Sequence, residues 1–323
     1  MADQAGVSAD VAGSAWQSWC GTRSVVVEPA PPGKNRIFVW PLAMFFNAVA
    51  SAGRRDLAMA VNRRLEAYWD PNLGGYRGTP SRTSACYYDD NAWIALALAR
   101  HCELFHRSAV VGRLRSIWQL LLSGWDVKVG GICWLRQFPT FCPLSSNGTA
   151  VWLLYQMASL GEDWAAPLAV DHYGWCQQHL LQEGANWGDH VRVDGHVDRS
   201  PWAYNFGVMI AAGVCIGALT GSADAVGLST DSARAATRFV ACQYEAEDRN
   251  VMGHDVWFDV VLIRSLGLLG AFTGEWRHFE TAEQLLTRVQ KESLRSSLVV
   301  SARIEAGALQ ELHRRRAPWQ DWL

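Results

Sequence analysis

Hydrophobic positions recur with a helical period along most of the chain. Apolar residues fall at i, i+3, i+4 and i+7 in about twelve segments, which clusters of Gly, Pro, Asn and Asp separate. We therefore predict helices over roughly 3–19, 40–52, 55–69, 88–105, 109–123, 147–160, 164–182, 202–220, 229–246, 255–273, 277–293 and 297–315. Strand patterns are nearly absent, so the predicted fold class is all-α.

The predicted helices alternate between two kinds. One kind is amphipathic with charged faces, as in "DLAMAVNRRLEAYW". The other kind is apolar or small nearly all round, as in "WAYNFGVMIAAGVCIGALTG". Because a helix without a polar face must be buried on all sides, the alternation predicts an outer ring of amphipathic helices around an inner ring of buried helices.

The alternation has a long period. Predicted inner helices begin near 40, 88, 147, 202, 255 and 297, so the repeat is about 50 residues. Gly-rich aromatic turns such as "YWDPNLGGY", "GWDVKVGGICW" and "HLLQEGANWGD" follow the outer helices. Six helical hairpins of this period predict a closed (α/α)6 barrel, formed as a single domain over residues 1–323. An open solenoid fits the same period but should carry polar capping repeats at both ends, and we see none.

Composition narrows the classes of partner. The formal net charge is -2 over 323 residues, which gives no electrostatic reason to expect nucleic acid or an anionic membrane as a partner. The eight cysteines show no zinc-like spacing and are predicted to be free, mostly buried thiols. The N-terminus lacks the features of a secretory signal, and no apolar run is expected to reach transmembrane length. We therefore expect a cytoplasmic chain, and its oligomeric state stays open.

The starts of the predicted inner helices combine aromatic residues with Asp or Asn. They read "RIFVWPLAMFFN", "YYDDNAW", "GGICW" with "SSNGTA", "WGDHVRVDGHVDRSPWAYNFG" and "GHDVWFD". Aromatic faces stack on sugar rings, while carboxylates and amides bind hydroxyl groups, so this end of the barrel is predicted to be a carbohydrate cleft. For the pair Asp89 and Asp90, capping of the helix start is the competing interpretation, since Asp accepts bonds from the free amides there.

In that order, "YYDDNAW", "GGICW" followed by "SNG", "DRSPWAYNFG" and "GHDVWFDVVLIRSLGLL" resemble motifs of glycoside hydrolase family seventy-six. This is the bacterial and fungal endo-α-1,6-mannanase family, which is built on an (α/α)6 barrel, and the resemblance runs from Trp40 to the last helices. It implies an enzyme that cleaves α-1,6-linked mannose chains with retention of configuration. Asp89 would be the nucleophile, which forms a covalent glycosyl intermediate, and Asp90 the general acid/base.

The resemblance also implies a set of substrate-binding residues and an oligosaccharide or polysaccharide substrate, with no cofactor. The closer matches to the family motifs are Tyr88, Trp93, Trp134, Asn147, Trp202, Tyr204 and Asn205. The looser matches are Trp40, Asn47, Asp189 and Asp198. Retaining glycosidases need carboxyl groups about 5–5.5 Å apart, and neighbouring residues at a helix start can reach that separation.

Departures from the family motifs leave alternatives open. Gln137 stands where a basic residue is expected, and Phe206 where Gln is usual, which affects the choice of substrate. There are two other interpretations. The chain is an enzyme of the same fold that acts on a different glycan, or it is a protein that binds glycans without cleaving them. The loop "GDHVRVDGHVD" is rich in Asp and His, but its spacing matches neither an EF-hand nor HExxH, so no metal is predicted.

Overall fold

The computed structural model describes residues 38–245, 256–291 and 297–323, and these contain eleven α-helices. They are α1 (Val39–Ser51), α2 (Arg55–Leu65), α3 (Tyr88–Arg100), α4 (Arg107–Leu122), α5 (Leu144–Ser159), α6 (Ala165–Leu180), α7 (Ala203–Thr220), α8 (Ala223–Glu245), α9 (Val256–Thr273), α10 (Phe279–Lys291) and α11 (Ser297–Arg314). The helix predicted over 3–19 lies outside the described residues.

The odd-numbered helices form a closed inner ring. Each of them contacts the next, α1 to α3, α5, α7, α9 and α11, and α11 contacts α1 in turn. Each even-numbered helix packs on the inner helix that precedes it in the chain. The contact between α11 and α1 closes the ring, so the predicted (α/α)6 barrel is confirmed and the open solenoid is excluded. We call the end of the barrel at which the inner helices begin the rim.

Two inner helices correct one expectation. Ala203–Thr220 and Val256–Thr273 are long and apolar enough to cross a membrane by length and composition, so the expectation that no apolar run reaches that length is wrong. Most residues of both helices are buried inside the protein. An inner helix of a double ring meets other helices on all sides and has no use for a polar face. Buried core helices meet the same criteria of length and hydropathy as membrane-spanning helices.

Close packing of inner helices depends on glycine at one position of α7. A Cβ added to Gly207 would lie 2.9 Å from the backbone nitrogen and Cα of Leu262 in α9. Backbone atoms cannot move aside as a flexible side chain can, so a larger residue would force the two helices apart.

We therefore expect Gly207→Ala to lower the free energy of unfolding by about 1–3 kcal/mol, the usual cost of overpacking. Gly227→Ala is the matched control, because a Cβ there has nothing within 4 Å. Gly227 lies in the second turn of α8, where replacing glycine by alanine should raise the free energy of unfolding by about 0.5–1 kcal/mol. Urea titration of both variants measures the difference, and equal stabilities would contradict the packing account.

Short strands join the helices at the rim. They are β1 (Trp69–Asp70), β2 (Gly75–Tyr76), β3 (Trp125–Asp126), β4 (Gly131–Ile132), β5 (Phe141–Pro143), β6 (Leu181–Gln182), β7 (Asn186–Trp187), β8 (His190–Arg192) and β9 (Val197–Asp198). β1–β2, β3–β4 and β6–β7 are antiparallel hairpins, and β5, β8 and β9 form a three-stranded antiparallel sheet. The three Gly-rich turns noted in the sequence are these hairpins.

Two buried asparagines fix hairpins to inner helices in the same way. Asn91 in α3 accepts a hydrogen bond from the backbone amide of Tyr76 at 2.7 Å and donates to the carbonyl of that residue at 2.9 Å. Asn147 in α5 does the same with Ile132, at 2.7 and 2.8 Å. In each case the side chain takes over both hydrogen-bonding groups of one strand residue, so the helix start is held against the hairpin before it.

Each of these amides has a further partner inside its own helix start. Asn91 donates to the carbonyl of Tyr87, and Asn147 donates to the carbonyl of Pro143, both at 2.8 Å. In α7, Asn205 donates to the carbonyl of Gly188 at 3.1 Å, just beyond β7. The three inner helices α3, α5 and α7 are thereby positioned at the rim by asparagine side chains bonded to backbone.

The cysteines agree with the prediction of free thiols. In the part of the chain that the structure describes, all seven cysteines are free, and only Cys102 and Cys242 are not fully buried. The sulfur atoms of Cys133 and Cys142 lie 3.5 Å apart, on the two segments that flank the loop 134–141.

Candidate active site

Asp89 and Asp90 lie in the first turn of α3, and Asp89 has more partners than a helix cap requires. Its Oδ1 accepts a hydrogen bond from the backbone amide of Asp90 at 3.0 Å, within the first turn of the helix. Its Oδ2 accepts two further bonds, from the indole Nε1 of Trp134 at 2.9 Å and from the hydroxyl of Ser145 at 3.0 Å. These donors come from the loop after β4 and from α5, so three separate segments converge on one carboxylate.

The surroundings of Asp89 alter its ionisation. Burial raises the pKa of Asp89 to about 6, and the bonds from Ser145, the Asp90 amide and Trp134 oppose that rise. An indole N–H can only donate, so its bond to Oδ2 favours the ionised carboxylate. Asp89 is therefore a carboxylate that is ionised above about pH 6 and held by donors at both oxygens.

A row of rings extends from Asp89 along the rim. The ring of Trp134 stacks on that of Phe141, with the centroids 5.5 Å apart and an interplanar angle of 22°. The centroid of the Phe141 ring lies 4.6 Å from that of His190. The Nδ1 of His190 lies 2.8 Å from an oxygen of Asp189. The backbone carbonyl of Asp189 in turn accepts a bond from the amide of Leu144, the first residue of α5. The structure thus brings the predicted residues Trp134 and Asp189 to the same part of the rim as Asp89.

Tyr204 and Trp93 form a hydrogen-bonded pair near the two carboxylates. The indole Nε1 of Trp93 donates to the hydroxyl of Tyr204 at 2.8 Å, and that hydroxyl lies 3.1 Å from Oγ1 of Thr149. Burial raises the pKa of Tyr204, and the charges of Asp89 and Asp90 raise it further. The phenol is therefore neutral and close to both carboxylates.

Trp202 and Trp40 are the remaining partly exposed aromatic residues among those predicted to bind substrate. Trp202 precedes α7 and contacts Phe258 of α9 edge to face, with the two ring centroids 6.2 Å apart. The ring centroid of Tyr204 lies 5.3 Å from that of Phe258. Trp40 is the second residue of α1 and is partly exposed. Asp198 in β9 is also partly exposed, and hydrogen bonds from Ser200 lower its pKa. All of these residues lie at the rim.

Four predicted residues have their side chains engaged elsewhere. Asn147 and Asn205 are buried and bonded to backbone, as described above. Tyr88 is 2% exposed, and a Cβ on Gly124 would fall within 3 Å of its ring, so that ring packs against the turn after α4. Asn47 accepts a bond from Arg100 at 2.8 Å. Arg100 ends α3, about 16 Å of helix from Asp89 at 1.5 Å per residue, so the structure does not bring Asn47 to the carboxylate pair.

Several residues at the site were not predicted from the sequence. They are Asn91, Phe141, Ser145, Thr149, His190 and Phe258. Ser145 and Thr149 are four residues apart in α5 and therefore share one helix face, which is a signal that "SSNGTA" carries. Phe258 lies inside the motif "GHDVWFD". Within residues 38–245, 256–291 and 297–323, no group of three or more His, Cys, Asp or Glu side chains is arranged to hold a metal ion.

Most glycoside hydrolases use a pair of carboxylates, and this rim carries two adjacent carboxylates among aromatic rings. Residues 8–292 match Glycosyl hydrolase family 76, and the chain belongs to this family. The resemblance seen in the motifs is thereby confirmed over nearly the whole chain.

Solved structures of the family share the fold at low sequence identity. A glycoside hydrolase family 76 mannosidase from Bacteroides thetaiotaomicron superposes with a TM-score of 0.76 at 17% identity, covering 95% of this chain and 99% of that one. An inactive variant of an α-1,6-mannanase from Salegentibacter, in complex with α-1,6-mannotriose, has a TM-score of 0.76 at 16% identity, covering 96% and 99%. In that variant two consecutive aspartates are replaced by asparagine.

A curated relative matches part of the chain at a higher sequence identity. The meiotically up-regulated gene 191 protein of Schizosaccharomyces pombe is 27% identical over an alignment of 213 residues that covers 55% of this chain and 46% of that protein. The matched region thus spans less than half the length of this relative.

Proposed function

We propose that the protein hydrolyses α-1,6-linked mannosides with retention of configuration, with Asp89 as nucleophile and Asp90 as general acid/base. The observation that carries the proposal is the convergence of Trp134 and Ser145 on Asp89, beside a second carboxylate at the next residue. The inactive Salegentibacter mannanase, with consecutive aspartates replaced and α-1,6-mannotriose bound, supports both the pair and the substrate class.

The proposed reaction has two steps. In the first, the ionised carboxylate of Asp89 attacks the anomeric carbon while Asp90 gives its proton to the departing glycosidic oxygen. The bond from carbon to that oxygen breaks, and an ester between Asp89 and the sugar forms. In the second, Asp90 takes a proton from water, the water oxygen attacks the same carbon, and the carboxylate of Asp89 leaves. The polar groups of the rim are placed to bind mannose hydroxyl groups, and its aromatic rings are placed to stack on the faces of the sugar rings.

The ionisation of Asp89 sets the acid side of the pH profile. The pKa of Asp89 is raised to about 6 by burial, so the nucleophile is protonated and inactive below that pH. We expect kcat/KM to rise as pH increases through about 6, because Asp89 must be ionised to attack. A profile of kcat/KM from pH 4 to 9 (roughly the range in which such carboxylates titrate) checks this, and a rate that stays flat down to pH 4 would contradict it.

Hydrolysis of defined glycans tests the proposed function. Purified protein is incubated with linear α-1,6-mannan and with α-1,6-mannobiose to mannotetraose, beside α-1,2- and α-1,3-linked mannobiose as matched controls. The anomeric configuration of the first product is followed by proton NMR. We expect α-anomeric product from the α-1,6-linked substrates and much slower release from the controls. Binding without turnover would instead indicate a glycan-binding protein on the same fold.

A further inference from the structure

Ser145 contacts the proposed nucleophile but takes no part in the two chemical steps. It is the second residue of α5, is partly exposed, and places its hydroxyl 3.0 Å from Oδ2 of Asp89. Trp134 donates to the same oxygen at 2.9 Å. The other oxygen, Oδ1, accepts a bond from the amide of the next residue in the helix. The two donors from outside α3 are therefore both directed at Oδ2.

We infer that Ser145 is a positioning residue, which together with Trp134 fixes Oδ2 of Asp89, stabilises the ionised carboxylate and leaves Oδ1 to attack the anomeric carbon. This inference rests on the proposed function. It adds to that function a positioning residue, Ser145, and an attacking atom, Oδ1 of Asp89. The sequence motifs point to the two carboxylates but not to the groups that orient them.

The choice of Oδ1 follows from the hydrogen bonds of the intermediate. If Oδ1 attacks, Oδ2 becomes the carbonyl oxygen of the ester and can keep both donors through the reaction. If Oδ2 attacks, it becomes the bridging ester oxygen, which is a weak acceptor, and the bonds from Ser145 and Trp134 are lost. Bonds to an ionised acceptor are also about twice as strong as neutral ones, so the same donors favour the charged form before attack.

The position of the Ser145 hydroxyl is itself held firmly. Its backbone carbonyl lies 3.5 Å from the hydroxyl of Tyr204, and Asn147, two residues on, clamps the start of α5 to Ile132. Thr149, one turn further, contacts the Tyr204 hydroxyl as well. A donor on a fixed helix end orients its partner better than a donor on a free loop.

Among the described residues, the charged and titratable groups near Asp89 include Arg136, whose charge acts on the neighbouring Tyr88. Asp90 is next to Asp89 in α3, and Tyr204 of α7 is neutral at working pH because burial raises its pKa. His190 and Asp189 lie beyond the stacked rings of Trp134 and Phe141. A change at Ser145 therefore acts on Asp89 through one hydrogen bond and introduces no charge.

The test compares Ser145→Ala with Ser145→Thr, which keeps a hydroxyl, and with Ser159→Ala at the far end of the same helix. We expect the acid limb of kcat/KM on α-1,6-mannobiose to move about one pH unit upward in Ser145→Ala, the size of one lost bond to a charged group. Activity at pH 6 should fall by about five- to sixfold as a consequence, since the ionised fraction of Asp89 drops from about one half to about one eleventh. Ser145→Thr should recover most of the shift, and Ser159→Ala should match wild type.

A second readout separates this inference from the proposed function. With aspartate labelled by carbon-13, the carboxyl signal of Asp89 is titrated by NMR in wild type and in Ser145→Ala, without any substrate. An upward shift of the titration in Ser145→Ala supports the inference even if wild type proves inactive on mannosides, an outcome that would remove the proposed function alone. An unchanged titration, or an unchanged acid limb in an active enzyme, would overturn the role of Ser145.

Discussion

Removing the Asp89 carboxylate is expected to abolish hydrolysis of α-1,6-mannosides, by about three orders of magnitude or more, as for other lost nucleophiles. Removing Asp90 should cost about 10²–10⁴-fold on the same substrates, the usual contribution of a general acid/base. Aryl mannosides with good leaving groups need little protonation, so Asp90→Ala should still form the intermediate from them while Asp89→Ala should not.

Added azide assigns the two roles. In Asp90→Ala it should attack the covalent intermediate and give the α-mannosyl azide, with configuration retained. In Asp89→Ala it should take the place of the missing carboxylate and give the β-mannosyl azide, with configuration inverted. Asp163→Asn, an exposed carboxylate between α5 and α6 at the opposite end of the barrel, is the matched control and should keep wild-type rates. The reverse pattern of azide products would exchange the roles of Asp89 and Asp90.

Asn147→Ala should produce a large loss of stability. The change leaves the amide and carbonyl of Ile132 and the carbonyl of Pro143 without the partners that the structure gives them. A buried unsatisfied polar group costs about 1–3 kcal/mol, so we expect the free energy of unfolding to fall by about 3 kcal/mol or more. Denaturant titration measures it.

Asn72→Ala serves as the control for that experiment, because Asn72 is exposed in the turn between β1 and β2 and should change stability by less than about 0.5 kcal/mol. If Asn147→Ala instead kept full stability and raised KM, Asn147 would bind sugar directly, as the sequence motifs predict, and the clamp would be secondary.

The helices and their order were predictable because burial leaves a strong periodic signal. The contrast between "WAYNFGVMIAAGVCIGALTG" and amphipathic neighbours such as "DLAMAVNRRLEAYW" separates inner from outer helices. The strands were not predictable, since a strand of two or three residues has no period to read. Their Gly-rich turns marked where the chain reverses but not that Trp69 pairs with Tyr76 or Trp125 with Ile132.

The site was only partly predictable, for a chemical reason. A buried amide that clamps backbone and an amide that binds sugar hydroxyls use the same donors and acceptors, so the sequence cannot tell the two uses of Asn147 and Asn205 apart. The signal for Ser145, its spacing of four residues from Thr149, is weak because serine is common at helix starts. The bond between Trp134 and Asp89 spans 45 residues of sequence and exists only because the barrel brings α3 and the β4–β5 loop together.

Trapping the covalent intermediate tests the central claim most directly. A 2-deoxy-2-fluoro-mannosyl donor with a good leaving group slows both steps, and the second step can be slowed further in Asp90→Ala. Peptide mapping by mass spectrometry then locates the sugar. We predict a single fluoromannosyl ester on Asp89, absent in Asp89→Asn and present in Asp163→Asn. A sugar attached to Asp90 or to another residue, or turnover that gives product of inverted configuration with no ester formed, would contradict the account.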